Sequence, residues 1–163
     1  MSINIYKNDN KLKELIIKLK SENKKIVFTN GVFDIIHRGH VEYLSKAKSL
    51  GDILIVGLNS DSSVKIIKGN DRPINKEADR AFVLINLKSV DYVVIFNEDN
   101  PLNLIMDISP NILVKGGDWK PENIIGSDFV KQNGGNVISL NFVDNYSTTK
   151  IIKKIAESSN SPS

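Results

Sequence analysis

Both histidines of this 163-residue chain, His37 and His40, fall in one stretch, TNGVFDIIHRGH, which runs from Thr29 to His40. Three residues apart, they share a face wherever the backbone turns helical. A helix start leaves N–H groups unpaired and carries the positive end of the helix dipole, so it draws anions. Two imidazoles on such a first turn suit a transferring phosphate, which needs alignment and N–H donors aimed at its equatorial oxygens more than it needs a nucleophile. Gly39 between them removes a side chain and lets a phosphate approach the backbone. Zinc is the competing reading of the spacing, with Asp34 as the nearest further ligand and no cysteine in the chain to complete a site. A merely structural histidine pair is the third.

Other phosphate and nucleophile motifs are missing. There is no GxxxxGK[ST] and no GxGxxG after the first strand, which argues against a Walker-type ATPase and a standard dinucleotide dehydrogenase. No GxSxG elbow is present, so an α/β-hydrolase is set aside.

The elements around the pair must form a strand, a loop and a helix. KKIVFTNG reads as a short apolar strand, and GHVEYLSKAKSLG as a helix with Val41, Leu44 and Ala47 inward and Gly51 as its stop. The pattern then repeats: strand DILIVGLNSD, helix KEADRAFVLINLKSV, strand DYVVIF, helix PLNLIMDIS opened by Pro101, strand NILVKGGD, helix DFVKQNGG, strand NVISLN and helix TTKIIKKIAES. Strands that are apolar throughout, alternating with helices, predict a doubly wound α/β fold, a parallel sheet covered on both faces. Before them, Leu12, Leu15, Ile16 and Leu19 make an amphipathic helix that packs on the outside of the core. The expected organisation is a single domain: an N-terminal helix over 1–24, the α/β domain over 25–157, and a disordered tail over 158–163, which includes SSNSPS.

In such a sheet ligands bind at the carboxyl ends of the strands. The polar residues there form coherent sets: Thr29, Asn30, Gly31, Phe33 and Asp34; Asn59, Ser60 and Asp61; Lys115, Gly116, Gly117 and Asp118; Tyr146, Ser147, Thr148 and Thr149. Together they suggest one phosphate and nucleotide pocket, with no protein metal site and Mg²⁺ entering on the nucleotide phosphates.

Composition agrees. The formal charge is +3 with 25% charged and 40% hydrophobic residues, as in an ordinary globular protein. The lysines are scattered without interleaved aromatics, so nucleic acid is not expected as a partner, and no apolar run is long enough to span a membrane. Without cysteine or a signal-peptide pattern, a cytoplasmic location is expected.

The segments FTNGVFDIIHRGHVEYLSKAKSLGD, LIVGLNSD, RPI, DR, VKGGDW and YSTT, in this order, resemble the cytidylyltransferase-like nucleotidyltransferase superfamily over about Lys25 to Ile155. More closely they are similar to the adenylyltransferase domains of bacterial ADP-heptose synthases. The resemblance implies a Rossmann-like nucleotidyltransferase fold in which His37 and His40 stabilise the pentacoordinate α-phosphate of ATP. Thr29, Asn30, Gly31 and Phe33 would line the cleft beside them. Lys68 matches a mobile lysine that closes on a phosphate, and Arg72 and Arg80 match phosphate-engaging arginines. Lys115, Gly117 and Asp118 fall where the family builds part of the nucleotide pocket, and Ser147, Thr148 and Thr149 where it holds the β- and γ-phosphates. Plainer readings stand beside these: Arg72 and Arg80 as solvated ion pairs with Asp71, Glu77 or Asp79, the serine-threonine run as an N-cap, and Trp119 as a packed aromatic.

The implied reaction transfers AMP from ATP to D-glycero-β-D-manno-heptose 1-phosphate, giving ADP-heptose for lipopolysaccharide biosynthesis, with a separate sugar kinase upstream and a homodimer as the assembly. Heptose enzymes usually have cysteine where this chain has Val32, a side chain expected to pack away from the chemistry. One alternative is a CTP user such as glycerol-3-phosphate cytidylyltransferase, whose Arg-Thr-Glu-Gly-Ile-Ser run is replaced here by FVDNYSTT. The other is a non-catalytic nucleotide sensor.

Overall fold

The computed structural model describes residues 4–117, 119–141 and 147–159. Asp118 and Tyr146, and the tail from 160 on, lie outside the described residues. The elements are β1 (Ile5–Lys7), α1 (Asn10–Ser21), β2 (Ile26–Gly31), α2 (Arg38–Lys48), β3 (Ile53–Asn59), α3 (Asp61–Lys68), α4 (Glu77–Ile85), β4 (Tyr92–Phe96), α5 (Leu102–Ile108), β5 (Ile112–Gly116), a 3-10 turn (Pro121–Asn123), α6 (Ser127–Gln132), β6 (Asn136–Leu140) and α7 (Thr148–Ser159).

The six strands pair in the order β1-β4-β3-β2-β5-β6, every pair parallel. From β2 the chain winds outward through β3 to β4, then returns to the other side of β2 as β5. This reversal opens a crevice at the carboxyl ends of β2 and β5, where a doubly wound sheet binds ligands.

Apolar residues alternate between two cores. On one face Leu12, Ile16 and Leu19 of α1 and Leu104, Ile105 and Ile108 of α5 cover Phe28, Ile55, Val94 and Leu113. On the other, Tyr43, Leu44 and Ala47 of α2 and Ala81 and Leu84 of α4 cover Val27, Leu54, Val56 and Val93. Strands buried on both faces must be apolar throughout, which is why they read as unbroken runs in the sequence.

The structure adds β1, α3 and the 3-10 turn to the elements expected. β1 lies within the first 24 residues, so that segment is not only a helix: Ile5 pairs with Val93 and Tyr6 with Val94 at the sheet edge. Three residues are too few to show a period. α3 follows β3 because Ser60 caps it, its Oγ accepting from the Ser63 N–H at 3.2 Å. In α2, Val41 is 40% exposed rather than inward, and Tyr43 takes its place in the core. α7 continues through Ser159, so the expected boundary at 157 falls inside a helix. Pro101 is the N-cap of α5 rather than its first turn.

Candidate active site

β2 ends at Gly31, and the next turn places Phe33 in the left-handed region, with φ 46°. A non-glycine residue is seldom found there, and such conformations persist where the surroundings enforce them. Here the Phe33 ring folds back over Gly31: a Cβ on that glycine would stand 2.9 Å from Phe33 Cε2. The ring's edge then meets His40, with centroids 5.3 Å apart. Gly31 thus makes room for the aromatic that walls the histidines.

His37 is the N-cap of α2, and its carbonyl accepts from the N–H groups of His40 and Val41 at 3.0 and 3.3 Å. One turn later His40 lies on His37, ring centroids 3.9 Å apart and planes 23° from parallel. Burial lowers the His37 pKa; burial, and then the neighbouring His37, lower that of His40 to about 4. Both rings are therefore neutral near pH 7. His40 Nδ1 is buried without a hydrogen-bond partner among the described residues. A neutral imidazole keeps one N–H donor and one acceptor, so the His40 ring still has a donor to offer a ligand.

Beneath them, Thr29 and Tyr43 join hydroxyls at 2.5 Å. Burial pushes the Tyr43 phenol up to about 12, against the opposing effect of the Thr29 bond. Thr29 is fully buried, so it props the floor through Tyr43 instead of lining the cleft as expected.

Asp34 borders the cleft as anticipated, but its carboxylate is already engaged by protein groups. Its buried carboxylate accepts from Arg72 Nε and Nη2 at 2.9 and 2.8 Å, from the Ile74 N–H at 2.8 Å and from the Asn75 N–H at 2.8 Å. Asn75 Nδ2 returns a bond to the Asp34 carbonyl at 2.6 Å. The carboxylate is thereby fully engaged in holding the 72–75 loop, and it presents Arg72 at the pocket wall. The counterion of Arg72 is Asp34, not a solvated neighbour.

Arg80 is 1% exposed and does not border the cleft. Its Nε donates to the Asn75 carbonyl, Nη1 to the carbonyls of Val32 and Asn59, and Nη2 to Asp61, all at 2.7–2.9 Å. This commits four of the five guanidinium N–H groups. Arg80 therefore ties the ends of β2 and β3 to the 72–75 loop, where the sequence suggested a direct phosphate contact. Asp61 and Glu77 complete the bracket, each carboxylate accepting from the other's backbone N–H at 2.8 and 2.7 Å. Asn59 is buried and bonds Ser63 Oγ at 2.9 Å, so neither Asn59 nor Asp61 faces the ligand space.

The cleft is a cavity of about 380 Å³. His40, Lys68, Arg72, Lys115, Thr148 and Thr149 border it, with Asn30, Gly31, Phe33 and Asp34 from the β2 loop. Sequence reasoning missed Tyr43, and it placed Val32 away from the chemistry, whereas Val32 borders the cavity. Gly39 is buried within α2 and Gly117 bonds its N–H to the Leu140 carbonyl, so neither is on the cavity wall. Ser147 caps α7, its Oγ accepting from Lys150 N–H at 3.1 Å, while Thr148 Oγ1 donates to the Ile35 carbonyl at 3.3 Å and ties α7 to the loop before α2. Two helix starts, those of α2 and α7, thus meet the same cavity as three cations. Burial lowers the pKa of Lys115, an effect that a bound anion would oppose. The described residues hold no cluster of acidic and histidine side chains able to bind a metal ion.

A cavity with this donor set, at this switch point, suits a polyphosphate. The sequence matches the family model described as cytidylyltransferase-like over residues 28–154. The chain is 55% identical over 149 residues to the bifunctional protein HldE of Geobacter metallireducens, covering 91% of this chain and 30% of that one. It is also 55% identical over 144 residues to the bifunctional protein HldE of Campylobacter jejuni, covering 88% and 30%. It therefore spans about a third of the length of these curated relatives. Among solved structures, it is similar to the lipopolysaccharide core biosynthesis protein of Thermoplasma volcanium, with a TM-score of 0.59, 28% identity, and coverage of 76% of this chain and 99% of that one. With most of its length, from within β2 to within α7, under one family model, the chain belongs to the cytidylyltransferase-like family.

Proposed function

We propose that the chain transfers AMP from ATP to D-glycero-β-D-manno-heptose 1-phosphate, releasing pyrophosphate and ADP-heptose. The observation that carries this reading is the neutral ring of His40 on the wall of a cleft bordered by Lys68, Arg72 and Lys115, with His37 stacked on it from outside the lining. The similarity to HldE proteins over about nine-tenths of this chain supports it.

In the reaction, a phosphate oxygen of the sugar 1-phosphate attacks the α-phosphorus of ATP in line, and the bond to the pyrophosphate oxygen breaks. No proton must move when one phosphoanhydride is exchanged for another. The protein's task is alignment and donors that meet charge on the equatorial oxygens, supplied by the imidazole N–H groups. Lys68 and Arg72 meet the departing pyrophosphate, and the start of α7, with Thr148 and Thr149, holds the β- and γ-phosphates. Arg80 and Asp34 act through the loops they pin. Mg²⁺ enters as part of the MgATP substrate, held by its phosphates.

The acceptor is the product of a sugar-kinase reaction, which we place upstream of this one. We place the protein in the cytoplasm as a homodimer; among the described residues no helix is long and apolar enough to cross a membrane. The test is a grid of ATP and CTP against heptose 1-phosphate, other sugar phosphates and glycerol 3-phosphate, read as pyrophosphate release. ATP with heptose 1-phosphate should be fastest. Preference for CTP with glycerol 3-phosphate would support the cytidylyltransferase instead, and silence in every well the nucleotide sensor.

A further inference from the structure

The His40 ring makes no hydrogen bond to the described residues; its side-chain contacts include the rings of His37 and Phe33. Apolar packing has no preferred direction, so the aim of the His40 N–H is set by the turn of α2 that carries the ring. That turn must itself be held in place.

One turn further along α2 stands Tyr43, 4% exposed and on the wall of the cleft. Its hydroxyl meets Thr29 Oγ1 on β2 at 2.5 Å and makes a longer, weaker contact with the Val114 carbonyl on β5 at 3.4 Å. Three elements that border the cleft therefore converge on one oxygen: α2, which carries His40; β2, which ends in Asn30 and Gly31; and β5, which ends in Lys115 and Gly116. β2 and β5 are the neighbouring strands at the switch point.

The core does not require these hydroxyls. Phenylalanine at 43 and valine at 29 would fill nearly the same space, and replacing both partners of a buried hydrogen bond by apolar groups of the same shape is close to neutral for stability. What the hydroxyls add is direction, because a hydrogen bond weakens steeply as its angle closes. A misplacement of about 1 Å in a positioned group can cost about 100-fold in rate, so even a small slide of α2 would matter.

We propose that Tyr43 is a positioning residue: through Thr29 its hydroxyl fixes the first turns of α2 over the ends of β2 and β5, and so aims the His40 N–H at the reacting phosphate. The proposal rests on the nucleotidyl-transfer reading above. Tyr43 exchanges no proton in the reaction; burial pushes its pKa up to about 12 and keeps the phenol protonated.

Tyr43→Phe, Thr29→Val and the double variant test this. Each is followed by urea denaturation, by initial rates of pyrophosphate release with ATP varied, and by ring-proton NMR titration of His40. Each single variant leaves one buried hydroxyl without its partner and should be less stable than the parent, whereas the double variant should regain most of that loss. In Tyr43→Phe and the double variant alike, kcat should stay lower by about tenfold or more, with the KM for ATP within about twofold of the parent. The His40 midpoint should rise in both from about 4 toward 6.5 as the ring loosens. Recovery of kcat together with stability in the double variant would make the pair structural only and overturn the proposal. A His40 midpoint unmoved in Tyr43→Phe would overturn it as well. The titration needs no turnover: a parent that releases no pyrophosphate removes the transfer reading, and the midpoint alone then decides whether Tyr43 holds the ring in place.

Discussion

His40 lies on His37 with 3.9 Å between ring centroids, and the edge of Phe33 closes its other side at 5.3 Å. A ring so enclosed resists protonation, since burial removes water from the cation and His37 stands close enough to oppose a second charge. The free protein should show a His40 titration midpoint near 4 and a His37 midpoint below the ordinary 6.5, followed by ring-proton NMR. A His40 midpoint at 6.5 would contradict the enclosure.

The same shift links pH to stability. Because the folded His40 value lies below the unfolded one, the unfolded chain takes up the proton first, and stability falls as pH drops from about 6.5 toward 4. Urea midpoints measured at pH 7 and pH 5 should drop in acid, and the drop should be smaller in the His40→Gln protein. Equal drops in both would assign the acid sensitivity elsewhere.

Gly31→Ala should disturb the pair without touching it. The added Cβ would stand 2.9 Å from the Phe33 ring, which must swing off His40. The His40 midpoint should then rise toward 6.5, and turnover should fall. An unchanged titration would mean that the ring has another way to fit.

Asp34→Ala removes the anchor of the 72–75 loop and leaves the Arg72 cation without its buried partner. Breaking such a pair costs about 3 kcal/mol, readable by urea denaturation, and the KM for ATP should rise as Arg72 loses its place at the cleft. A variant as stable as the parent would contradict the bracket drawn here.

Arg80→Lys keeps the charge but loses the fork that reaches three carbonyls and Asp61 from one plane. Lysine can meet only part of that set, so the variant should lose about 2–3 kcal/mol through the acceptors left bare. If Arg80 instead contacted phosphate directly, lysine would keep stability and raise only the KM for ATP.

Much of this arrangement was legible in the sequence because short-range patterns encode it. The unbroken apolar runs of β2 through β5 follow from burial on both faces, and the His37-Arg38-Gly39-His40 stretch lies at a helix start because a strand and a polar loop precede it. The roles of Asp34, Arg72 and Arg80 were less legible, because their side-chain partners lie 19–41 residues away in sequence and the rest are backbone groups, which no side-chain pattern records. Thr29 misleads for a similar reason: a polar residue at a strand end usually faces ligand, but here the Tyr43 hydroxyl claims it from one turn into α2. β1 is too short for a period, and it becomes visible only through its register with β4. The acidic residues beside Arg72 and Arg80 in the chain suggested local ion pairs, whereas the fold supplies Asp34 from the loop after β2 and Asp61 from the start of α3.

The most direct test of the central claim separates transfer from binding. AMP transfer from ATP to heptose 1-phosphate is measured in His37→Ala and His40→Ala, alongside ATP affinity by calorimetry. The account predicts a rate lower by about 100-fold or more in each, as for loss of a transition-state donor, with ATP affinity within about threefold of the parent. Affinity and rate falling together by equal factors, or transfer undiminished, would contradict it.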